Sequence, residues 1–189
     1  MSKVNTLGIY FSKKLNPFIG KEFFNLSTSM DEPLADEFYL WYGDVFYVNR
    51  KKYLVFCNGL TKFSFLIPDY RVDKKINFFK TFSTYLEHSI RHNGFNPDTY
   101  LQDIEFYAHH AQTSRSAMAH LTQLKDMCAH VVEIEHYIIH KKEELEYLNH
   151  FVNTWITTYK DKKGYHDPKT VFKEEWEKRG LLVDREHSV

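Results

Sequence analysis

The sequence predicts an α+β fold: an antiparallel sheet of about four to five strands packed by helices, with a helical C-terminal extension. Three observations predict it. Runs rich in Tyr, Phe and Val recur as far as Pro68 with turn residues between them, as the strands of a meander do. Later segments place apolar residues three and four apart, the period of a helix with one buried face. Between Pro97 and Gly164 neither Pro nor Gly occurs, so nothing in the backbone chemistry interrupts a helix there.

The elements follow in order. "TLGIYFSKKLNPF" opens with an apolar strand and turns through basic residues to a stop at Pro17. "NLSTSMDEPLADEF" is a loop by its Ser, Asp and Pro content. Val45–Val48, Tyr53–Phe56 and Phe63–Ile67 are three aromatic strands, joined by the basic turn Asn49-Arg50-Lys51-Lys52 and by the turn signal Asn58-Gly59. Connections this short make the pairing antiparallel. Ile76, Phe79, Phe82, Leu86 and Ile90 then mark a helix, capped by Asp73 and stopped at Gly94. "IEFYAHH", from Ile104 to His110, reads as a further strand able to join the meander.

From Ser116 the pattern is helical. Ala117, Leu121, Leu124, Cys128, Val131 and Ile138 form one apolar stripe, and Leu145, Leu148, Val152, Trp155 and Tyr159 form another. The stripes are out of phase across "HKKEE", so either one helix changes its buried face or two helices meet there. A straight helix of about 45 residues would be about 67 Å long, more than a domain of this size buries, so part of it packs on the core or on a partner chain. "YKDKKGYHDPK" is a polar linker, and "TVFKEEWEKRG" is a final short helix closed by Gly180. We expect a core domain of residues 1–127 and an extension of residues 128–189, with Leu145, Leu148, Val152, Trp155 and Tyr159 facing a second copy or another protein.

Composition narrows the function classes. With 189 residues, 43% hydrophobic and 17% aromatic, the chain holds one full core and is not disordered. Lys plus Arg equals Asp plus Glu at 25 each, so affinity for nucleic acid has to come from a local patch rather than a global field. Cys57 and Cys128 lie in apolar surroundings and read as buried reduced thiols. The N-terminal residues lack the apolar segment of a signal peptide, and no run approaches the ~20 apolar residues of a membrane span. The expectation is a cytoplasmic protein without a membrane partner.

Catalytic signatures are sparse. Glu133, His136 and His140 share a helix face, a spacing that can bring two imidazoles to one metal ion. The metalloprotease pattern needs Glu directly after the first His, where Tyr137 stands, and a di-metal bundle needs a second Glu-x-x-His. The incomplete set favours a solvated charged face, and neither metal nor cofactor is expected. Two features remain. Arg115 sits between Ser114 and Ser116 at the start of a helix, where capping and anion binding use the same geometry. The tip Asn49–Lys52 is either a soluble turn or a contact surface.

The run "LWYGDVFYVNRKKYLVFCNGLTKFSFLI", the helix ending "HSIRHNGF" and "IEFYAHHAQTSRSAMAHLTQL" together resemble a small bacterial domain family of unknown function, met alone and alongside plasmid-borne domains. Trp41, Asn49, Arg50, Lys51, Lys52, Asn58, Thr61, Arg115 and Ser116 carry the resemblance over residues 4–127, and Tyr42-Gly43-Asp44 departs from its His-Ala-Asn. The resemblance implies that these nine residues are the binding residues to test, and it associates the chain with prophages, plasmids or defence. The expected function is a non-enzymatic binding or regulatory module, such as an accessory or inhibitor protein of a mobile element. The alternative is a nucleic-acid-binding or nucleic-acid-processing protein whose basic tip and Arg115 contact phosphates, and a weaker one is a metal-dependent enzyme.

Overall fold

The computed structural model describes residues 5–15, 19, 36–71, 78–102, 104–109, 114–134 and 142–181. Five strands form the main sheet: β1 (Asn5–Phe11), β2 (Leu40–Val48), β3 (Lys51–Asn58), β4 (Ser64–Pro68) and β5 (Ile104–His109), in the order β4-β3-β2-β1-β5. The meander β2–β3–β4 is antiparallel, as its short connections require. The sheet as a whole is mixed, which corrects the antiparallel expectation, because β1 runs parallel to both β2 and β5. Short links force the direction of the next strand. The long link from β1 to β2 leaves it open, so residue pattern alone could not assign it.

Helices cover both faces. On one side α1 (Phe78–His92), α2 (Pro97–Leu101) and α5 (Pro168–Lys178) pack against Leu7, Trp41, Phe56 and Phe65. On the other, α3 (Arg115–Ile134) and α4 (Lys142–Thr154) pack against Tyr42, Val55, Cys57 and Leu66. Covering on both faces explains why β3 reads as a near-continuous apolar run instead of an alternation. The helix stop at Gly94 is present: Gly94 has φ 89°, and Phe95 N–H returns to the Ile90 carbonyl at 3.2 Å. Asp73 lies outside the described residues.

The C-terminal part is woven into these layers. The expected boundary at 127/128 falls inside α3, and Cys128 and Val132 beyond it are buried with Leu121 and Leu124. Leu148 and Val152 are fully buried, Leu145 nearly so, and all three join the chain's own second core. They are therefore not open to a partner. Trp155 is exposed, while Tyr159 is half-buried and its hydroxyl donates to the Thr61 carbonyl at 2.7 Å. The polar linker is a small hairpin of β6 (Thr157–Tyr159) and β7 (Lys162–His166), turned through Lys160 and Asp161, with Gly164 at φ 85° inside β7 where the register shifts.

Two asparagines show how α4 is held. β4 is an edge strand with outward backbone groups that need partners. Asn153 accepts from Ser64 N–H and donates to the Ser64 carbonyl, both at 2.7 Å, and Asn149 accepts from Leu66 N–H at 3.0 Å. Four residues apart, they lie on one helix face. No helix among the described residues is long and apolar enough to cross a membrane.

Candidate binding sites at the two ends of the central hairpin

The β2–β3 hairpin turns through Asn49 and Arg50, at φ 49° and 64°. Positive φ at both central residues is the two-residue turn whose twist suits a hairpin. Asn accepts that conformation readily and Arg less so. Asn49, Arg50 and Lys51 are exposed, and the Lys52 ammonium lies 5.8 Å from the centre of the Tyr70 ring. Burial lowers the pKa of Lys52, and Asp69 nearby opposes that.

β2 outruns β1. Their last pair is Phe11 with Gly43, after which Ser12 N–H donates to the Gly43 carbonyl at 3.0 Å. Beyond it, among the described residues, Asp44–Val48 pair only with β3. By the two-residue period of a strand, the main-chain groups of Val45 and Tyr47 point away from β3, as those of Gly43 do. Asp44 takes up one of them, accepting from Val45 N–H at 2.9 Å. The same carboxylate is 4% exposed, accepts from the Ser12 hydroxyl at 2.5 Å and forms an ion pair with Lys125 of α3. This pairing pins α3 beside the strand edge.

Between edge and helix lies a cleft of about 590 Å³ bordered by Lys14, Phe46, Tyr47, Lys125 and Asp126. Tyr47 is 57% exposed in a strand whose other residues are buried. Lys14 and the tip residues make the surroundings predominantly basic.

The opposite end of the hairpin holds a different group. Asn58 is fully buried and saturated: its amide donates to the Phe38 carbonyl at 2.8 Å, and its Oδ1 accepts from Thr61 N–H and the Thr61 hydroxyl, both at 3.0 Å. Trp41 is also fully buried, with Nε1 donating to the Tyr100 hydroxyl at 3.1 Å, which in turn donates to the Phe38 carbonyl at 2.7 Å. Trp41, Asn58 and Thr61 shape the fold and present nothing to a ligand. The turn that Asn58 organises does aim Lys62 inward, at φ 62°, and its Nζ meets the Ser116 hydroxyl at 2.7 Å. Arg115 and Ser116 open α3 and are exposed, and the Ser114 hydroxyl accepts from Ala117 N–H at 3.2 Å as the expected cap.

The nine expected binding residues thus divide. Asn49, Arg50, Lys51 and Lys52 stand at one end of β3, and Trp41, Asn58, Thr61, Arg115 and Ser116 at the other. Seven residue steps of strand separate Lys51 from Asn58, about 23 Å. Burial pushes the Cys57 and Cys128 thiols up to about 12, which keeps both protonated and unreactive. Among the described residues no group of three or more His, Cys, Asp or Glu could hold a metal ion. Glu133 is an exposed residue of α3, while His136 and His140 lie outside the described residues.

Residues 8–171 match the model of a family described as a domain of unknown function, DUF6933. The chain belongs to that family. The matched region takes in the whole five-stranded sheet apart from the start of β1, together with α3, α4 and the β6–β7 hairpin, and reaches into α5. No curated protein and no solved structure matches.

Several residues of both ends escaped the sequence reading of this DUF6933 domain. Asp44, Lys62 and His120 each carried a usable signal, being polar or charged residues inside apolar runs that fold as buried elements. A buried charge needs a partner. Ser12, Tyr47 and Lys125 carried no such mark, because their roles depend on where β1 stops and α3 crosses.

Proposed function

We propose that this domain is a non-enzymatic binding module that receives an extended segment of a partner protein along the outer edge of β2 beside exposed Tyr47. One observation carries the reading: Asp44–Val48 has no strand neighbour on its outer side among the described residues, and a cleft of about 590 Å³ runs beside it. An added strand would pair with the Tyr47 main chain and the Val45 carbonyl, and acidic side chains on it would meet Lys14 and Arg50. Regulation of a mobile element would suit such a module by association with the resemblance alone.

The test places a photo-crosslinking amino acid at Tyr47 in cells and identifies the products by mass spectrometry, with the same group at exposed Lys80 as control. A partner captured from Tyr47 but not from Lys80, and lost when Lys14→Glu and Arg50→Glu are added, supports the reading. Equal capture from both positions sinks it.

A second reading follows from Tyr47 itself. An exposed aromatic ring that borders a cleft with Lys14 and pairs across the hairpin with Lys52 suits a stacked base flanked by phosphates. Binding of a single-stranded oligonucleotide would then weaken steeply with salt, each lost phosphate contact reducing the slope by about 0.7. A flat salt response, or wild-type binding by Tyr47→Ala, removes it.

A further inference from the structure

The far end of the hairpin holds polar chemistry that the β2 edge does not use. Lys62 and His120 are each only 5% exposed. Among the described residues the Lys62 ammonium meets a neutral hydroxyl, that of Ser116, and forms no ion pair. A buried cation without a counter-charge is costly. His120 lies one turn along α3 from Ser116, on the same face, with its ring against the Lys62 backbone, and among the described residues neither ring nitrogen makes a hydrogen bond of full geometry. The Lys62 backbone can take up only one of them, and a buried imidazole nitrogen left over is likewise a defect in a closed structure.

The start of α3 supplies what these groups could share. Its cap satisfies the N–H groups of Ala117 and Met118 through Ser114. The N–H groups of Arg115 and Ser116 have no partner among the described residues. A helix of 20 residues adds partial positive charge at this end. Ammonium, hydroxyl and two amide N–H groups therefore meet at Ser116, with the imidazole one turn along the helix, and none of them is a carboxylate.

We propose that the first turn of α3 is an oxyanion site for a phosphate group, formed by Lys62, Ser116 and the open backbone N–H groups, with the His120 ring beneath it against the Lys62 backbone. Donors approaching from helix, turn and core suit a tetrahedral anion better than a planar carboxylate. The turn that brings Lys62 in is fixed from outside by the Tyr159 hydroxyl on the Thr61 carbonyl and from inside by Asn58. Burial lowers the pKa of the Lys62 ammonium, and a bound anion would raise it again.

The experiment titrates the full chain at pH 7.5 with inorganic phosphate, and in parallel with acetate at equal ionic strength, following melting temperature and the histidine ring resonances. The expected result is saturable stabilisation by phosphate alone, with a shift of the resonance that is missing in His120→Gln. Lys62→Met should weaken binding roughly tenfold or more, and Ser116→Ala several-fold, as loss of a charged and a neutral hydrogen bond would. Ser116 is exposed, so its variant tests the site even where Lys62→Met fails to fold. Lys14→Glu with Arg50→Glu should leave phosphate binding unchanged, which separates this site from the β2 edge. A phosphoserine peptide that binds tighter than inorganic phosphate assigns the group to a modified chain, and equal affinity assigns it to a small molecule. No saturable response, an equal response to acetate, or unaltered binding by Ser116→Ala overturns the proposal.

Discussion

Replacing Asn153 with Leu tests whether α4 is part of the fold or an appendage to it. The side chain is fully buried and makes two hydrogen bonds of 2.7 Å to the main chain of Ser64. Leu fills a similar volume but leaves the Ser64 N–H and carbonyl without partners in a dry site. Each unsatisfied group costs about 1 to 3 kcal/mol, and the added apolar surface returns part of that, so a net loss of about 3 kcal/mol is expected. Asn149→Leu breaks one bond to β4, that to Leu66 N–H, and should cost about half as much. His150→Leu, exposed on the same helix, should change stability little. Urea unfolding checks the order, read as a shift in midpoint at constant slope. For a chain of this length, about 3 kcal/mol also lowers the melting temperature by roughly 6 to 12 °C. If Asn153→Leu loses under about 0.5 kcal/mol, or no more than His150→Leu, the amides do not hold α4 on the strand edge and the reasoning fails.

Three further outcomes follow. Tyr100→Phe leaves Trp41 Nε1–H buried without an acceptor while the Phe38 carbonyl keeps Asn58, so calorimetry should show a loss of about 1 to 3 kcal/mol. Leu148→Glu with Val152→Glu places two carboxylates in the second core and should unfold the chain; a folded variant that differs only in oligomeric state by light scattering would return α4 to a partner interface. Burial lowers the pKa of His120 from 6.5 to about 4, with the Lys62 charge adding to the effect. The unfolded chain therefore binds the extra proton between those values, so the contribution is fully present above about pH 6.5 and falls away as pH drops toward 4. The difference amounts to about 3 kcal/mol, and a His120→Gln variant should lack this part of the acid limb in a stability titration.

The legible parts of the fold were those set by neighbours in sequence. The meander followed from Asn49-Arg50 and Asn58-Gly59, the stop of α1 from Gly94, and the cap of α3 from Ser114. Non-local choices were not legible. The direction of β1, the cover that α4 gives to β4 and the small hairpin in "YKDKKGYHDPK" all depend on surfaces presented by distant segments. For the same reason the stripe Leu145, Leu148 and Val152 could be recognised as needing cover, but its cover could not be identified. Asn149 and Asn153 on that face were the missed clue: amides beside an apolar stripe suit the edge of a strand better than a second copy's helix.

The length of β3 also decides how the basic residues can be used. Arg50 and Lys51 are separated from Arg115 by the strand, about 23 Å, and helices cover both of its faces from Tyr53 to Asn58. A nucleic acid touching both groups would have to pass over α3 and span about seven phosphates of one strand at 3.4 Å each. Its route would cross the exposed face of α3, where Asp126, Glu133 and neutral residues stand among the cations. A single continuous phosphate-binding surface is therefore the less economical arrangement, and two separate sites fit the charges better. Salt dependence then has a sharp meaning. Charge reversal at Arg50 and Lys51 should alter binding at the hairpin tip and leave the phosphate response at Ser116 untouched, whereas Ser116→Ala should do the reverse. Coupled losses in both assays would show one extended surface after all.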